Sequence, residues 1–374
     1  DTNPNKVNLG VGVYFDDAGK LPLLQCVQAA EKAMMDKPAP RGYLPIDGIV
    51  AYDNAVKGLV FGADSDVVKS GRVSTVQAIG GTGGLKIGAD FLKKVSPKAK
   101  VLISDPSWEN HRAIFVNAGF EVGTYAYYDA AKRGVNFEGM LADLNAAAAG
   151  TIVVLHACCH NPTGYDITAA QWDQVVAACK ARQLVPFLDM AYQGFGHGIA
   201  EDGAIIGKFV ASGQTFLVST SFSKSFSLYG ERVGALSVLC QDKDEAARVL
   251  SQLKIMIRTN YSNPPTHGAT VVATVLGTPE LRALWEKELG EMRLRIKQMR
   301  LALVEKLKAA GVKQDMGFIT DQIGMFSYSG LSKDQMVRLR EEFSVYGTDT
   351  GRMCVAALNS KNIDYVCQSI AKVI

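Results

Sequence analysis

The chain has 374 residues, of which 48% are hydrophobic and 21% are charged, a composition typical of a soluble globular protein with a large core. Its net charge of +3, from 40 basic and 37 acidic residues, is too balanced to favour a nucleic acid or a membrane surface as partner. The seven cysteines have no repeating spacing, which favours reduced thiols in the cytoplasm over a disulfide framework.

Short apolar strands alternate with helices through the middle of the chain. The predicted strands are residues 74–79, 100–104, 121–127, 151–155, 184–188, 215–220 and 233–239. The helices predicted between them are residues 85–94, 110–118 and 168–182. This alternation predicts a mostly parallel, doubly wound α/β sheet.

The pattern changes after Arg258. Thr278 and Pro279 form a helix start and Gly311 a helix end, so the apolar residues between them predict one helix of roughly thirty residues. The elements predicted beyond it are a strand at 325–328, a helix at 332–343, a strand at 353–356 and a final helix. They indicate a second, smaller α/β domain that the long helix joins to the first.

Lys224 follows the apolar strand 215–220 in the segment TFLVSTSFSK. Ligands bind at the carboxyl ends of strands in open α/β sheets, and a lysine desolvated there loses basicity and can attack an aldehyde. Ser221, Ser223 and Arg232 are the residue types that bind phosphate. Pyridoxal phosphate has both an aldehyde and a phosphate, although a lone lysine is more often a solvated surface charge.

Two other strand ends carry residues that suit the same cofactor. Asp189 can keep the pyridine nitrogen protonated, which makes the ring a strong electron acceptor. Asn161 and Tyr192 can bind the phenolic oxygen, and Trp108 can stack on the ring. The glycine-rich turn at 80–84 opens a helix and is therefore a candidate anion site. Each feature alone is weak, but their joint order is hard to obtain by chance.

Ten segments together resemble one family. They run in family order along nearly the whole chain and are 8–14 (NLGVGVY), 43–48 (YLPIDG), 80–83 (GGTG), 105–111 (DPSWENH), 160–164 (HNPTG), 189–194 (DMAYQG), 221–226 (SFSKSF), 230–232 (GER), 258–265 (RTNYSNPP) and 351–352 (GR). The chain resembles a fold-type I, pyridoxal-phosphate-dependent aminotransferase of the aspartate/aromatic amino-acid branch. The resemblance implies a large cofactor-binding domain (22–291) with a mostly parallel, seven-stranded sheet, and a small α/β domain built from both termini (1–21 and 292–374). The helix at about 279–310 links the two.

The resemblance also implies a role for each matching residue. Lys224 forms the aldimine with pyridoxal 5′-phosphate, and its freed amine then moves the substrate proton. Asp189, with His111 behind it, pairs with the pyridinium, and Tyr192 with Asn161 holds the phenolic oxygen. The implied phosphate ligands are Gly81, Thr82, Ser221, Ser223, Arg232 and Tyr43 of a second subunit.

Substrate recognition is implied to use two arginines. Arg352, aided by the Gly12 backbone, binds the α-carboxylate, and Arg258 from the second subunit binds a side-chain carboxylate. Trp108 and Asn161 also face the substrate. The protein is therefore expected to be a homodimer with shared active sites that uses amino acids and 2-oxo acids, without a metal, nucleic acid or membrane as partner.

The expected reaction is transamination between an aromatic amino acid and 2-oxoglutarate. Two carboxylate-binding arginines favour transamination over the other reactions that this fold hosts. Leu21, Gly42 and Pro45 are small or apolar near the expected mouth of the site, which resembles the aromatic-accepting relatives and favours phenylalanine and tyrosine, with aspartate as a further substrate. The alternative is an enzyme that prefers aspartate.

Three other interpretations remain at this stage. The glycine-rich turn could belong to a dinucleotide fingerprint, but Lys86 stands where the third glycine of that motif is required. A metal could use the two histidines and two cysteines of residues 156–160, although ligands so close along one strand end converge poorly on an ion. A non-catalytic protein with the same fold should have lost the lysine or an arginine, and this chain keeps them.

Overall fold

A computed structural model describes residues 1–374. Its strands are β1 (Val7–Asn8), β2 (Val73–Ile79), β3 (Lys100–Asp105), β4 (Glu121–Ala126), β5 (Tyr128–Asp129), β6 (Gly134–Val135), β7 (Ile152–His156), β8 (Val185–Met190), β9 (Phe216–Ser221), β10 (Val233–Leu239), β11 (Phe326–Tyr328), β12 (Val345–Tyr346) and β13 (Arg352–Cys354). Every strand predicted from the sequence is present, and no strand end differs from its predicted position by more than two residues.

The helices outnumber those that the sequence predicted. They are α1 (Gln25–Asp36), α2 (Val50–Lys57), α3 (Asp66–Lys69), α4 (Gly80–Val95), α5 (Glu109–Asn117), α6 (Phe137–Ala146), α7 (Ala169–Ala181), α8 (Ile199–Ser212), α9 (Lys243–Asn260), α10 (His267–Gly277), α11 (Pro279–Ala309), α12 (Lys333–Phe343) and α13 (Ile363–Val373). None of them is long and apolar enough to cross a membrane.

Seven strands form the central sheet, in the order β2-β10-β9-β8-β7-β3-β4. All neighbours are parallel except β10, which runs antiparallel to both β2 and β9. The prediction of a mostly parallel, seven-stranded sheet is confirmed. The direction of β10 could not be predicted, because a strand buried on both faces gives the same apolar run in either direction.

Helices cover both faces of this sheet, and the two cores that result can be followed along β7. Val153 and Leu155 belong to the larger core, whereas Ile152 and Val154 belong to the core on the opposite face. Successive side chains of a strand point to opposite faces, so a strand covered on both sides must be apolar throughout. The carboxyl ends of β7, β8 and β9 meet at one edge, where Asn161, Asp189 and Lys224 were expected.

Helix α4 starts five residues earlier than predicted and packs very closely on the sheet. Gly80 has φ +69°, which reverses the chain after β2, and the helix begins there. A Cβ on Gly84 would lie 2.6 Å from Ser219 Oγ, so only glycine allows the helix to approach β9 this closely. The glycines that suggested a loop are thus the first helical turn.

The long helix α11 has 31 residues, close to the roughly thirty that the sequence predicted. It packs against α1 and α10 and also against α13. Its Trp285 stacks on Phe226, just beyond β9, with ring centroids 4.7 Å apart. Beyond it lie two small sheets, the parallel pair β1 with β12 and the antiparallel pair β11 with β13. Strand β13 starts at Arg352. The division at residues 21 and 291 stays a prediction.

Candidate active site

A cavity of about 290 Å³ opens at the carboxyl ends of the parallel strands. Of the residues predicted for the site, those that line it are Gly12, Gly81, Thr82, Trp108, Asn161, Asp189, Tyr192, Ser221, Ser223, Lys224, Arg232 and Arg352. They come from loops, from strand ends, from the start of α4 and from β13, and the two farthest apart in sequence, Gly12 and Arg352, are 340 residues apart.

One end of the cavity is suited to an anion. The first turn of α4 points its free backbone N–H groups there, and Ser221, Ser223 and Arg232 lie opposite. Arg232 Nη1 donates to Tyr229 O at 2.8 Å and to Ser223 Oγ at 3.3 Å. Arg232 itself adopts the left-handed conformation (φ 53°, ψ 61°), which turns its side chain back over the helix start.

Asp189 lies at the opposite end, backed by a chain of hydrogen bonds. His111 Nε2 lies 2.7 Å from Asp189 Oδ2, Ser107 Oγ lies 2.8 Å from His111 Nδ1, and His156 Nε2 lies 3.2 Å from Ser107 Oγ. The backbone N–H of Asn161 lies 3.5 Å from His156 Nδ1 and can only donate. One consistent assignment follows. The Asn161 N–H donates to His156 Nδ1, His156 Nε2–H donates to Ser107 Oγ, the Ser107 hydroxyl donates to His111 Nδ1, and His111 Nε2–H donates to Asp189.

Two pKa shifts support this direction of donation. Burial lowers the pKa of His156 well below its ordinary value, so this ring is neutral and has one donor and one acceptor. Burial alone would raise the pKa of Asp189, but the hydrogen bond from His111 and the charges of nearby groups bring it below its ordinary value. Asp189 is therefore an anion beside the cavity at neutral pH.

Lys224 projects into the cavity between these two ends. Its Nζ lies 4.9 Å from the centre of the Tyr192 ring. Burial lowers the pKa of Lys224; Arg232 lowers it further, while Asp189 opposes the shift. More of the amine is therefore neutral, and nucleophilic, than in a lysine exposed to water.

Arg352 is held at the wall of the cavity nearest the small sheets. Its Nη1 donates to Asn161 Oδ1 at 3.0 Å and its Nη2 donates to Gly10 O at 2.8 Å. Its guanidinium carbon lies 4.5 Å over the Phe326 ring, and its Nε has no partner. Since Asn161 Oδ1 is engaged by Arg352, the amide N–H₂ of Asn161 is left to donate into the cavity.

Three predicted residues do not line the cavity. His111 is completely buried behind Asp189, as the resemblance implied. Tyr43 is 96% exposed, and Arg258 is exposed and bonded only to Ser262 at the end of α9. The expectation that a second subunit uses these last two residues stays a prediction.

Six residues that line the cavity were not predicted for this site, although the metal interpretation included His156 and Cys158. They are Leu85, His156, Cys158, Ala191, Tyr229 and Phe326. Tyr229 accepts a 2.9 Å hydrogen bond from the Tyr14 backbone through its hydroxyl, and Phe326 packs so closely on Gly12 that a Cβ there would lie 2.7 Å from its ring. Neither residue stands in a motif that indicates a site, so only the folded chain reveals them.

The cluster of residues 156–160 is not arranged as a four-ligand metal site. His156 and His160 are bonded to serine and threonine hydroxyls. Cys158 and Cys159 instead come within 4.8 Å of Asp202. The Asp202 carboxylate already accepts hydrogen bonds from three backbone N–H groups, those of residues 194, 196 and 197.

The family model for class I and II aminotransferases matches residues 4–370. The chain belongs to the class I and II aminotransferase family. It is 62% identical to an aspartate aminotransferase of Pseudomonas aeruginosa and 52% identical to an aromatic-amino-acid aminotransferase of Escherichia coli, in both cases over all of this chain and 94% of the relative. The crystal structure of an aromatic-amino-acid aminotransferase from Burkholderia pseudomallei, covalently bound to pyridoxal phosphate, matches with a TM-score of 0.97 and 65% identity over all of this chain and 94% of that one.

These findings confirm the aspartate aminotransferase-like fold and the transamination activity, and with them pyridoxal phosphate as the cofactor of this aminotransferase. The cavity fits that group. A helix start with serine hydroxyls and an arginine suits a phosphate, an ionised Asp189 suits a pyridinium, and Lys224 with its lowered pKa suits the aldehyde. The dinucleotide and non-catalytic interpretations are wrong.

Proposed function

We propose that this aminotransferase acts on phenylalanine and tyrosine with 2-oxoglutarate, and that it accepts aspartate as well. The proposal rests on one contrast: the arginine for the carboxylate that every amino acid has is built into the cavity wall, whereas the arginine for a side-chain carboxylate is exposed. An arginine that its own chain holds only through Ser262 can turn aside and leave room for an aromatic ring. The relatives are named for both activities.

We propose that Lys224 holds the cofactor covalently and that Asp189 binds its ring nitrogen. Asn161 and Tyr192 would then hold its phenolic oxygen, with Trp108 against the ring face. The groups that would bind its phosphate are Gly81, Thr82, Ser221, Ser223, Arg232 and Tyr43 of another copy of this chain. When bound, pyridoxal phosphate supplies an aldehyde for the amino group and a protonated ring that accepts electrons.

Lys224 is the group that moves the substrate proton. Burial lowers the pKa of its amine, so a larger share of the amine is neutral than in an exposed lysine. The neutral amine can take the proton from the substrate α-carbon and deliver it again as an ammonium. No other amine lines the cavity. The other titratable groups there have different tasks: Asp189 stays ionised, and burial raises the pKa of Tyr192, so that its hydroxyl remains a donor.

Arg352 orients the substrate by its α-carboxylate, next to the Gly12 backbone. The fixed guanidinium offers a planar pair of donors, which matches a carboxylate better than an ammonium does. Arg258 would meet the second carboxylate of aspartate, glutamate or 2-oxoglutarate. We propose that the chain forms a homodimer, because Tyr43 and Arg258 lie outside the cavity of one chain and a second copy must bring them to it.

A substrate profile tests this proposal. The purified enzyme, loaded with pyridoxal phosphate, is assayed with phenylalanine, tyrosine and aspartate as donors and 2-oxoglutarate as acceptor. We expect kcat/KM for phenylalanine and aspartate to agree within about tenfold, a difference of about 1.4 kcal/mol in transition-state binding. Aromatic turnover that is undetectable beside a normal rate with aspartate would replace the proposal by the aspartate-preferring alternative.

A further inference from the structure

Arg300 is a buried cation without a carboxylate partner. It lies on the long helix α11 and is only 3% exposed, yet no acidic group comes within 4 Å of its guanidinium. Burial lowers the pKa of Arg300 to about 10, so the side chain is still charged at neutral pH. A buried charge is costly, and an apolar side chain of the same volume would often stabilise a core more. The position therefore needs an explanation other than packing.

The guanidinium of Arg300 binds the start of β11 and the loop that leads into it. Nη2 donates to Gly324 O at 2.7 Å and to Phe326 O, and Nη1 donates to Ser327 Oγ. Three acceptors in different directions match the rigid fork of an arginine, and a lysine could not reach all of them in one geometry. Arg300 thus holds both ends of the segment Gly324–Ser327.

Strand β11 depends on this support, because it has a neighbouring strand on one edge only. That neighbour is β13, and on the other edge side chains take the place of a third strand. Arg300 binds Phe326 O, and the Gln322 side chain binds both the N–H and the C=O of Tyr328. A strand of three residues has too few ladder hydrogen bonds to hold its own position.

The position of β11 determines the position of Arg352 in two ways. In the register of the two strands Tyr328 is directly opposite Arg352. The Phe326 ring lies under the Arg352 guanidinium at 4.5 Å and meets the edge of the Tyr192 ring at 5.9 Å. A shift of β11 would therefore move the guanidinium that faces the cavity.

We propose that Arg300 is a positioning residue for the substrate α-carboxylate, which acts by holding β11 and the Phe326 ring against Arg352. The inference rests on the proposed role of Arg352. Arg300 does not touch the cavity, and its effect should be the same for every substrate because every amino acid has the α-carboxylate. Displacements of an ångström at such a contact have large effects on rate and binding.

The test compares Arg300→Met and Arg300→Lys with the original enzyme. We expect Arg300→Met to raise KM about tenfold for phenylalanine and for aspartate alike, with a smaller change in kcat, and Arg300→Lys to raise KM less. Maleate, a dicarboxylate that cannot react, should bind to the Arg300→Met enzyme with a dissociation constant raised by a similar factor, as measured by calorimetry. Lys297→Met, which removes an exposed cation from the same helix, is the matched control and should change neither value.

A purely structural role for Arg300 predicts a different result, since a smaller folded fraction lowers kcat and leaves KM and maleate binding unchanged. That result would overturn the proposal. If Arg300→Met does not fold, the single variant Phe326→Leu is compared with the double variant that also carries Arg300→Lys. We expect the double variant to have about the same KM as Phe326→Leu, because Arg300 acts on Arg352 through the Phe326 ring. If the two substitutions raise KM independently, so that their factors multiply in the double variant, the proposal is contradicted.

Arg352→Lys in the same assays separates this inference from the proposed function. A normal KM in Arg352→Lys would remove the proposed role of Arg352 and the inference with it. A raised KM in Arg352→Lys together with a normal KM in Arg300→Met would overturn the inference alone.

Discussion

The inner and outer parts of the active site are built in opposite ways. The inner part, with Asp189, Asn161 and Arg352, consists of side chains whose hydrogen bonds to other groups fix their positions. The outer part, with Tyr43 and Arg258, consists of exposed side chains that have almost no neighbours in the chain itself. Fixed groups suit the steps that are identical for every amino acid, and groups held by few contacts suit the step at which substrates differ.

The largest effect is expected from the inner part. Lys224→Ala should lower turnover by at least about a thousandfold, since it removes the only amine that can move the substrate proton. The loss should be the same for phenylalanine and aspartate. Single-turnover kinetics with each donor measures it, and bound pyridoxal phosphate after dialysis serves as the control for an intact site. Turnover near the original rate would show that another group is the base.

A smaller and selective effect is expected from the outer part. Arg258→Leu should lower kcat/KM for aspartate about a hundredfold, because two charge-assisted hydrogen bonds to its second carboxylate are lost. Phenylalanine has no such carboxylate and should be affected less than about threefold as a donor. Half-reaction kinetics with each donor alone isolates this difference. An equal loss for both donors would contradict the contrast between the two parts of the site.

Mixing two variants that are each impaired with aspartate tests whether the outer part belongs to a second copy. In a hybrid of Lys224→Ala and Arg258→Leu subunits, one site has both original residues if Arg258 acts across the interface. Random association of equal amounts should then restore activity with aspartate to about one site in four. If Arg258 serves its own subunit, every site in the mixture keeps a defect, and no activity returns.

Two buried aspartates show how much the environment of the inner part matters. Asp189 has His111 and a lowered pKa, whereas Asp53 on α2 has an oxygen without any partner, and burial raises its pKa to about 8. Unfolded aspartate titrates near pH 4, so between about pH 4 and 8 folding takes up a proton and the free energy of unfolding falls as pH rises.

Asp53→Asn should therefore stabilise the enzyme at high pH. We expect the gain to be larger at pH 9 than at pH 5, by on the order of 2 kcal/mol, because folding of the original chain takes up a proton over most of this range. Urea unfolding at both pH values measures the difference, and activity should not change, since Asp53 lies outside the cavity. A gain that is independent of pH would mean that the carboxyl group has the same pKa in the folded and in the unfolded protein.

The inner part was largely predictable from the sequence, and the reason is geometrical. Lys224, Asp189 and Asn161 each follow an apolar strand, and parallel strands bring their carboxyl ends to one edge. The order of strands and polar residues along the chain was therefore enough to combine their chemistry into one site. The first turn of α4 was placed in a loop because glycine is a poor helix former, and here close packing on β9 outweighs that preference.

The supporting residues could not be predicted in the same way. Phe326 and Tyr229 act through contacts with residues far away in sequence, which no local pattern records. Arg300 stands on the buried face of α11, between Ile296 and Leu303, where the helical period alone predicts an apolar residue. Its charge is stabilised by three acceptors in β11 and the loop before it, and that compensation is visible only after folding.

The left-handed turn at Arg232 bears on attempts to make this enzyme more thermostable. A residue with a Cβ pays about 1 kcal/mol to adopt φ 53°, ψ 61°, whereas glycine adopts it freely. A search for stabilising substitutions that scores only the protein chain would therefore rank Arg232→Gly highly. The same substitution would delete the guanidinium beside Ser223, so heat resistance and cofactor retention are in direct competition at this one backbone position.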